Sequence, residues 1–300
     1  MRTPSAGYVA NISVLFASLP LLERPAAAAG AGFTAIETWW PFDTPTPAGR
    51  EADDFTAAVR AAGVELVALN LFHTAPGAGE SGILSHPGRA AEFHDNLAAV
   101  HHLARELGVR LFCAPYGRRL DGVSREEQRD TAVARLAEAN RTLADVGGRT
   151  MLEPLSGVPG FPLRTLRQAA AVIGRVDACT DGGRSAGSST DRSTGLLADL
   201  YHLAANGSDL EADLAAHASL VAHVQVADHP GRHEPGTGTL AVGRHIDTLL
   251  RHGYRGRFAL EYLPTRPVEA PVGQGVSVCS TGAPGQRLPR DGDVVRSPGP

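Results

Sequence analysis

The chain has 300 residues, 43% of them apolar, with a formal net charge of -4 and a pI near 6.3. That balance argues against a nucleic-acid or membrane-surface protein, and no apolar run approaches the roughly 18–20 residues needed to span a bilayer. All 28 basic residues are arginine, so no lysine is available for a Schiff base or a P-loop, and any carbonyl chemistry falls to carboxylates, histidine or a metal. Cys113, Cys179 and Cys279 lie far apart without a CxxC pair, which suggests neither a disulfide framework nor a zinc cluster. The N-terminus lacks the basic-then-apolar order of a signal peptide, and a reducing cytoplasm is the expected location.

Strand-like and helical runs alternate along the chain. Tyr8 to Phe16 reads as a first strand, and the Ala-rich run from Pro20 to Ala31 as a helix closed by glycine. FTAIETWW is a second strand with Glu37 near its end, followed by a helix from Asp53 to Ala62. VELVALN is a third strand ending at Asn70, and a long polar loop leads to a helix over Ala91–Leu107. VRLFCAP is the fourth strand. Ser124 with Glu127 three residues on is a capping box, opening a helix to about Val146. RTMLEPL is a fifth strand ending on Glu153, and Leu163–Gly174 a short helix. Residues 177–194 are Gly, Ser, Thr, Asp and Arg with almost no apolar content, and are expected to be a flexible insertion. They contain GRSAG at Ser185, which lacks the preceding strand and following helix of a nucleophile elbow and reads as chance composition. GLLADL is a sixth strand ending on Asp199, Asp209–His217 a helix, and VAHVQV a seventh strand. Gly243–His252 is a helix and RFALEY an eighth strand ending on Glu261. The tail from Pro267 has no helical period and is expected to be largely disordered.

Eight short strands alternating with helices predict a (β/α)8 TIM barrel over residues 1–266. In such a barrel Glu153, Asp199, Gln225 and Glu261 close neighbouring strands and converge on one face. Three carboxylates and an amide oxygen make an all-oxygen site, which suits Mg²⁺ or Mn²⁺ and would repel itself without a cation. A metal across two oxygens of an α-hydroxycarbonyl eases enediolate formation, and a Glu on each side can take a proton from one carbon and return one to the next. His223 and Gln225 stand two apart on their strand and face the same way. The loop after it, Asp228 to Gly238, packs Asp, two His, Arg, Glu, two Pro and three Gly into eleven positions. His202 and Arg232 are suited to hold a substrate carboxylate or hydroxyl.

The chain resembles the hydroxypyruvate isomerase family of the xylose isomerase-like barrels. The matching pieces are ANISVLF and LLER near the start, GESGI with PGR and EF between Gly79 and Phe93, LEPL at Leu152, DLYHL at Asp199 and HVQVADHPGRHEPGTG at His223. The resemblance implies interconversion of hydroxypyruvate and tartronate semialdehyde, with 2-oxotetronates and sugar 3-epimerisation as related activities. It implies that Glu153 and Glu261 are the acid/base pair and that both, with Asp199 and Gln225, hold the divalent metal. A small hydroxy-oxo acid is the expected partner, with homo-oligomerisation left open. Three features depart from the family pattern: the 177–194 insertion, LAVGRH after GTGT, and a tail without the usual closing helix. They keep a non-catalytic paralogue in view, whereas an endonuclease IV-like enzyme would need more histidine ligands and a basic face.

Overall fold

The computed structural model describes residues 7–74, 81–180 and 192–270. Eight parallel strands close into a barrel in chain order: β1 (Val9–Asn11), β2 (Ala35–Thr38), β3 (Glu65–Asn70), β4 (Leu111–Cys113), β5 (Arg149–Leu152), β6 (Thr194–Asp199), β7 (Val221–Val226) and β8 (Phe258–Leu260), with β8 pairing back onto β1. The connections carry α1 (Arg24–Gly30), α2 (Glu51–Ala62), α3 (Ala90–Leu107), α4 (Arg125–Thr142), α5 (Leu166–Thr180), α6 (Leu200–Ala205), α7 (Leu210–His217) and α8 (Val242–Arg251). The (β/α)8 barrel expected from the alternation is therefore present.

The period-two alternation of strand side chains divides the apolar residues into two cores. Ala10, Ile36, Phe112, Leu152, Ala198 and Val224 face outward and join the large cluster beneath the helices. Their neighbours fill the lumen as two small clusters, one of Val9, Ala35 and Ala259 and one of Ala68, Cys113, Met151 and Leu197. Moving two residues further along a strand keeps a side chain in the lumen and brings it to the carboxyl-terminal face. Asn11, Glu37, Glu153, Asp199 and Glu261 follow Val9, Ala35, Met151, Leu197 and Ala259 in this way. The polar residues thus form the layer above an apolar plug.

Local signals act as the sequence indicates. The Ser124 hydroxyl accepts the Glu127 N–H at 3.0 Å and starts α4. Gly108 ends α3 at φ 73°, a left-handed position that costs glycine little. Behind the lumen, Asn140 on α4 clamps β5 to β6 by accepting from Thr150 and donating to Thr194, both at 2.8 Å.

Most boundaries shift by a few residues, and the ends of β1 and α5 move furthest. β1 stops at Asn11 rather than running to Phe16, because the Asn11 side chain accepts the Ser13 N–H (3.0 Å) and its carbonyl accepts the Leu15 N–H (2.9 Å), which turns the chain. α5 continues to Thr180, so Asp177 to Cys179 are helical and not part of a flexible insertion. Val176 buries the last core contact, and Asp177 accepts an ion-paired hydrogen bond from Arg192. Residues 181–191, with the GRSAG motif, lie outside the described residues, as does the tail from 271. Among the described residues no helix follows β8. Residues 267–270 are instead tied down: the Ala270 N–H donates to the Ala31 carbonyl at 2.8 Å, and Val268 and Ala270 pack on the main core.

Candidate active site

At the carboxyl-terminal face, the six residues singled out from the sequence come together. Asp199 is the last residue of β6 and sits in register with Gln225 on β7. Glu153 and Glu261 are the first residues beyond β5 and β8, and the Glu261 N–H extends the ladder to the Val226 carbonyl at 3.1 Å. Asp199 divides its oxygens. Oδ1 caps α6 by accepting from the N–H groups of Tyr201 (2.8 Å) and His202 (3.2 Å), while Oδ2 is buried without a hydrogen-bond partner. That cap turns the chain into α6 and places His202 over the site.

The His202 ring is held by Ser156, whose N–H (3.1 Å) and hydroxyl (2.8 Å) both meet Nδ1. A backbone N–H can only donate, so Nδ1 is the acceptor and the proton of the neutral ring sits on Nε2. Nε2 faces Asp199 Oδ2 at 3.7 Å and Glu153 Oε1 at 4.0 Å. Burial lowers the His202 pKa, and the nearby Asp199 only partly offsets it.

Arg232 arrives from the β7–α8 loop. Asp228, fully buried at the loop's base, accepts from the N–H groups of His229 (2.7 Å), Gly236 (2.7 Å) and Leu240 (2.9 Å). A Cβ on Gly238 would stand 2.5 Å from Asp228 Oδ1, so only glycine permits this closure. Within the loop Arg232 itself adopts φ 57°, an uncommon conformation for a residue other than glycine, and its N–H is held by the Asp228 carbonyl at 3.1 Å. Its guanidinium hydrogen-bonds Glu261, reaches to 3.6 Å from Asp199 Oδ2, and lies 5.4 Å from the Tyr201 ring centre. Burial works to lower the Arg232 pKa, but Glu261, Asp199 and Glu153 outweigh it and fix the positive charge.

The carboxylates are perturbed in the other direction. Burial first, then repulsion from Glu261 and Asp199, pushes Glu153 well above the ordinary carboxylate range. Burial pushes Glu261 up to about 8, although Arg232 opposes it. One arginine against three carboxyl groups leaves the site short of positive charge. Two buried oxygens, Asp199 Oδ2 and Gln225 Oε1, have no hydrogen-bond partner, and ligand atoms of Glu153, Asp199 and His202 lie within 4.8 Å of one another. Unpaired oxygens beside repelling carboxylates are what a hard divalent cation would satisfy.

Across the lumen from these carboxylates stands a group that local pattern does not assemble. Glu37 on β2 meets Gln225 Nε2 (2.7 Å), Asn11 Nδ2 (2.9 Å) and His223 Nε2. Asn11 also donates to Glu261 Oε2 at 2.9 Å. Cys113 lies with its thiol 3.8 Å from Glu153, its own pKa raised first by burial and then by Glu153. Part of the signal is in the sequence: Asn11 and Cys113 are the last residues of short strands, and Glu37 and His223 are polar residues within otherwise largely apolar ones.

A model described as xylose isomerase-like TIM barrel matches residues 25–280. The chain belongs to the xylose isomerase-like TIM barrel family. A Streptomyces coelicolor relative with the provisional name hydroxypyruvate isomerase is 41% identical to this barrel over 277 residues, covering 91% of this chain and 95% of its own length. Escherichia coli hydroxypyruvate isomerase is 29% identical over 265 residues, covering 88% and 95%. A solved structure from Brucella melitensis described as an AP endonuclease of family 2 superposes with a TM-score of 0.74 at 28% identity, covering 87% of this chain and 95% of its own. This xylose isomerase-like barrel is an isomerase, of the hydroxypyruvate isomerase-like kind. No helix among its described residues is long and apolar enough to cross a membrane.

Proposed function

We propose that this barrel interconverts hydroxypyruvate and 2-hydroxy-3-oxopropanoate (tartronate semialdehyde) through an enediolate, with residues 1–266 as one catalytic unit in the cytoplasm. The observation that carries the reading is the pair of buried oxygens without a hydrogen bond, Asp199 Oδ2 and Gln225 Oε1, together with two carboxyl groups of raised pKa. Glu153, Asp199, Gln225 and Glu261 would hold Mg²⁺ or Mn²⁺, which when bound supplies polarisation of adjacent carbonyl and hydroxyl oxygens and charge to offset the carboxylates.

The protein's own groups account for the proton transfers. One of Glu153 and Glu261 takes a proton from C3, and the C–H electron pair becomes the C2–C3 double bond. The other delivers a proton to C2. O2 gains a proton and O3 gives one up, so two hydrogens move within the substrate and no external oxidant is needed. His202 Nε2–H is oriented by Ser156 to donate to a substrate oxygen near Glu153. Arg232 presents a guanidinium whose Nε is buried without a partner, and it pairs with the substrate carboxylate. Tyr201 supports the guanidinium from one side.

The test is turnover of hydroxypyruvate by protein supplied with Mn²⁺, read as formation of the aldehyde. Glu153→Gln and Glu261→Gln should each lower kcat by about 10²–10⁴-fold, the range of general acid–base catalysis, while leaving the circular dichroism spectrum unchanged. Near-normal turnover in either variant rules out the two-carboxylate mechanism.

A further inference from the structure

Gln225 is an ambiguous ligand by itself, because a rotated amide would turn NH₂ rather than oxygen toward a cation. Three contacts remove the ambiguity. The Ser13 N–H donates to Asn11 Oδ1 at 3.0 Å, so Asn11 must direct Nδ2 into the lumen. That NH₂ reaches both Glu37 Oε1 and Glu261 Oε2 at 2.9 Å. Glu37 is 2% exposed; its Oε1 accepts from Asn11 Nδ2 and Gln225 Nε2, and its Oε2 meets His223 Nε2. The Gln225 NH₂ donates to Glu37 Oε1 at 2.7 Å, so the NH₂ is the edge of Gln225 that faces Glu37. Gln225 Oε1 is left on the other edge, buried and without a partner.

We propose that Glu37, anchored by Asn11 and His223, is a positioning residue that locks the Gln225 amide with its oxygen toward the cation. The inference rests on the proposed function in one respect, that the site binds a divalent cation. It adds a residue from β2, on the opposite wall of the barrel, to the determinants of that binding. It also gives the buried Glu37–His223 pair a purpose, since neither residue faces solvent and the pair crosses the lumen from β2 to β7.

The probe is Mn²⁺ alone, titrated into the whole metal-stripped protein and followed by electron paramagnetic resonance of the free ion, with no substrate present. Glu37→Gln replaces the acceptor by an amide that can donate to Gln225 Oε1 and release the orientation. Loss of an outer partner of a metal ligand typically weakens affinity by about 10–100-fold, and that is the expected rise in Kd. Combining Glu37→Gln with Gln225→Glu exchanges carboxylate and amide. The contact is rebuilt and an oxygen faces the site in either rotamer, so most of the affinity should return. A purely structural role would not be rescued by this exchange.

Unchanged Mn²⁺ affinity in Glu37→Gln overturns the inference and leaves the proposed function standing. Weak binding in both the single and the exchanged variant overturns it too. Absence of Mn²⁺ binding by the unaltered protein overturns both readings at once. Should the single variant fail to fold, the exchanged pair decides alone, because it keeps one carboxylate and one amide in contact: near-normal affinity supports the inference, and lost affinity overturns it.

Discussion

The raised pKa of Glu261 makes the stability of the metal-free protein fall as pH rises. Glu261 has an ordinary value near 4.5 in the unfolded chain and about 8 in the fold. The folded state therefore binds the proton more tightly. Its contribution to stability is complete below pH 4.5 and is lost as pH climbs through 8. From pH 7 to pH 8 the folded carboxyl goes from about nine-tenths to half protonated while the unfolded one stays ionised, which removes about 1 kcal/mol. Glu153 shifts in the same direction and adds to the loss. His73, His202 and His245, whose pKa values burial lowers, act oppositely, but over this interval each contributes only about 0.1 kcal/mol. Urea unfolding in EDTA at pH 7 and 8, compared between the unaltered protein and Glu261→Gln, reads the effect, because titrating groups remote from the site cancel. The unaltered protein should lose about 1 kcal/mol more than the variant. Parallel pH dependence in the two proteins would refute the claim that Glu261 is buried, charge-starved and protonated at neutral pH without metal.

Other expectations follow from the same geometry. Saturating Mn²⁺ should flatten the pH dependence of the unaltered protein between pH 7 and 8, because ligands that bind ionised offset the cost of their charge; a slope unchanged by Mn²⁺ would count against a cation at this site. Arg232→Lys keeps the charge but loses the fork, and should lower kcat/KM for hydroxypyruvate by about 10–100-fold, the worth of a charge-assisted hydrogen bond of 1.5–3 kcal/mol; a change within twofold would remove Arg232 from substrate binding. Replacing residues 181–191 with a Gly-Ser linker of equal length should leave Mn²⁺ affinity and turnover intact, since Asp177 and Arg192 are already joined across the segment's ends; lost Mn²⁺ binding would show that the segment shapes the site.

Strand identity and strand-end chemistry were legible because both depend on local pattern. Asp199 and Glu261 each stand at the end of a short apolar run, and period two alone sends them to the lumen. The partnership of Glu37 with His223 was not legible, since it joins positions 186 residues apart that meet only when the barrel closes. His223 and Gln225 could be read as facing the same way, but nothing in the sequence says that one carboxylate receives both. Ser156 was missed for a related reason: it orients His202 with its backbone N–H as well as its hydroxyl, and a backbone contact leaves no trace in residue type. The end of α5 is not legible, because Gly174 and the polar composition from Asp177 both read as a stop, whereas the helix runs on until Val176 has made its core contact and finishes on polar residues.

Under the proposed function this site makes and collapses an enediolate. Proton exchange at C3 reads that step without depending on which product accumulates. Protein with Mg²⁺ and hydroxypyruvate in D₂O, followed by proton NMR, should lose the C3 signal in a metal-dependent manner, and whichever of Glu153→Gln and Glu261→Gln removes the C3 base should retain it. Retention of the C3 protons by the unaltered, metal-loaded protein would contradict the account.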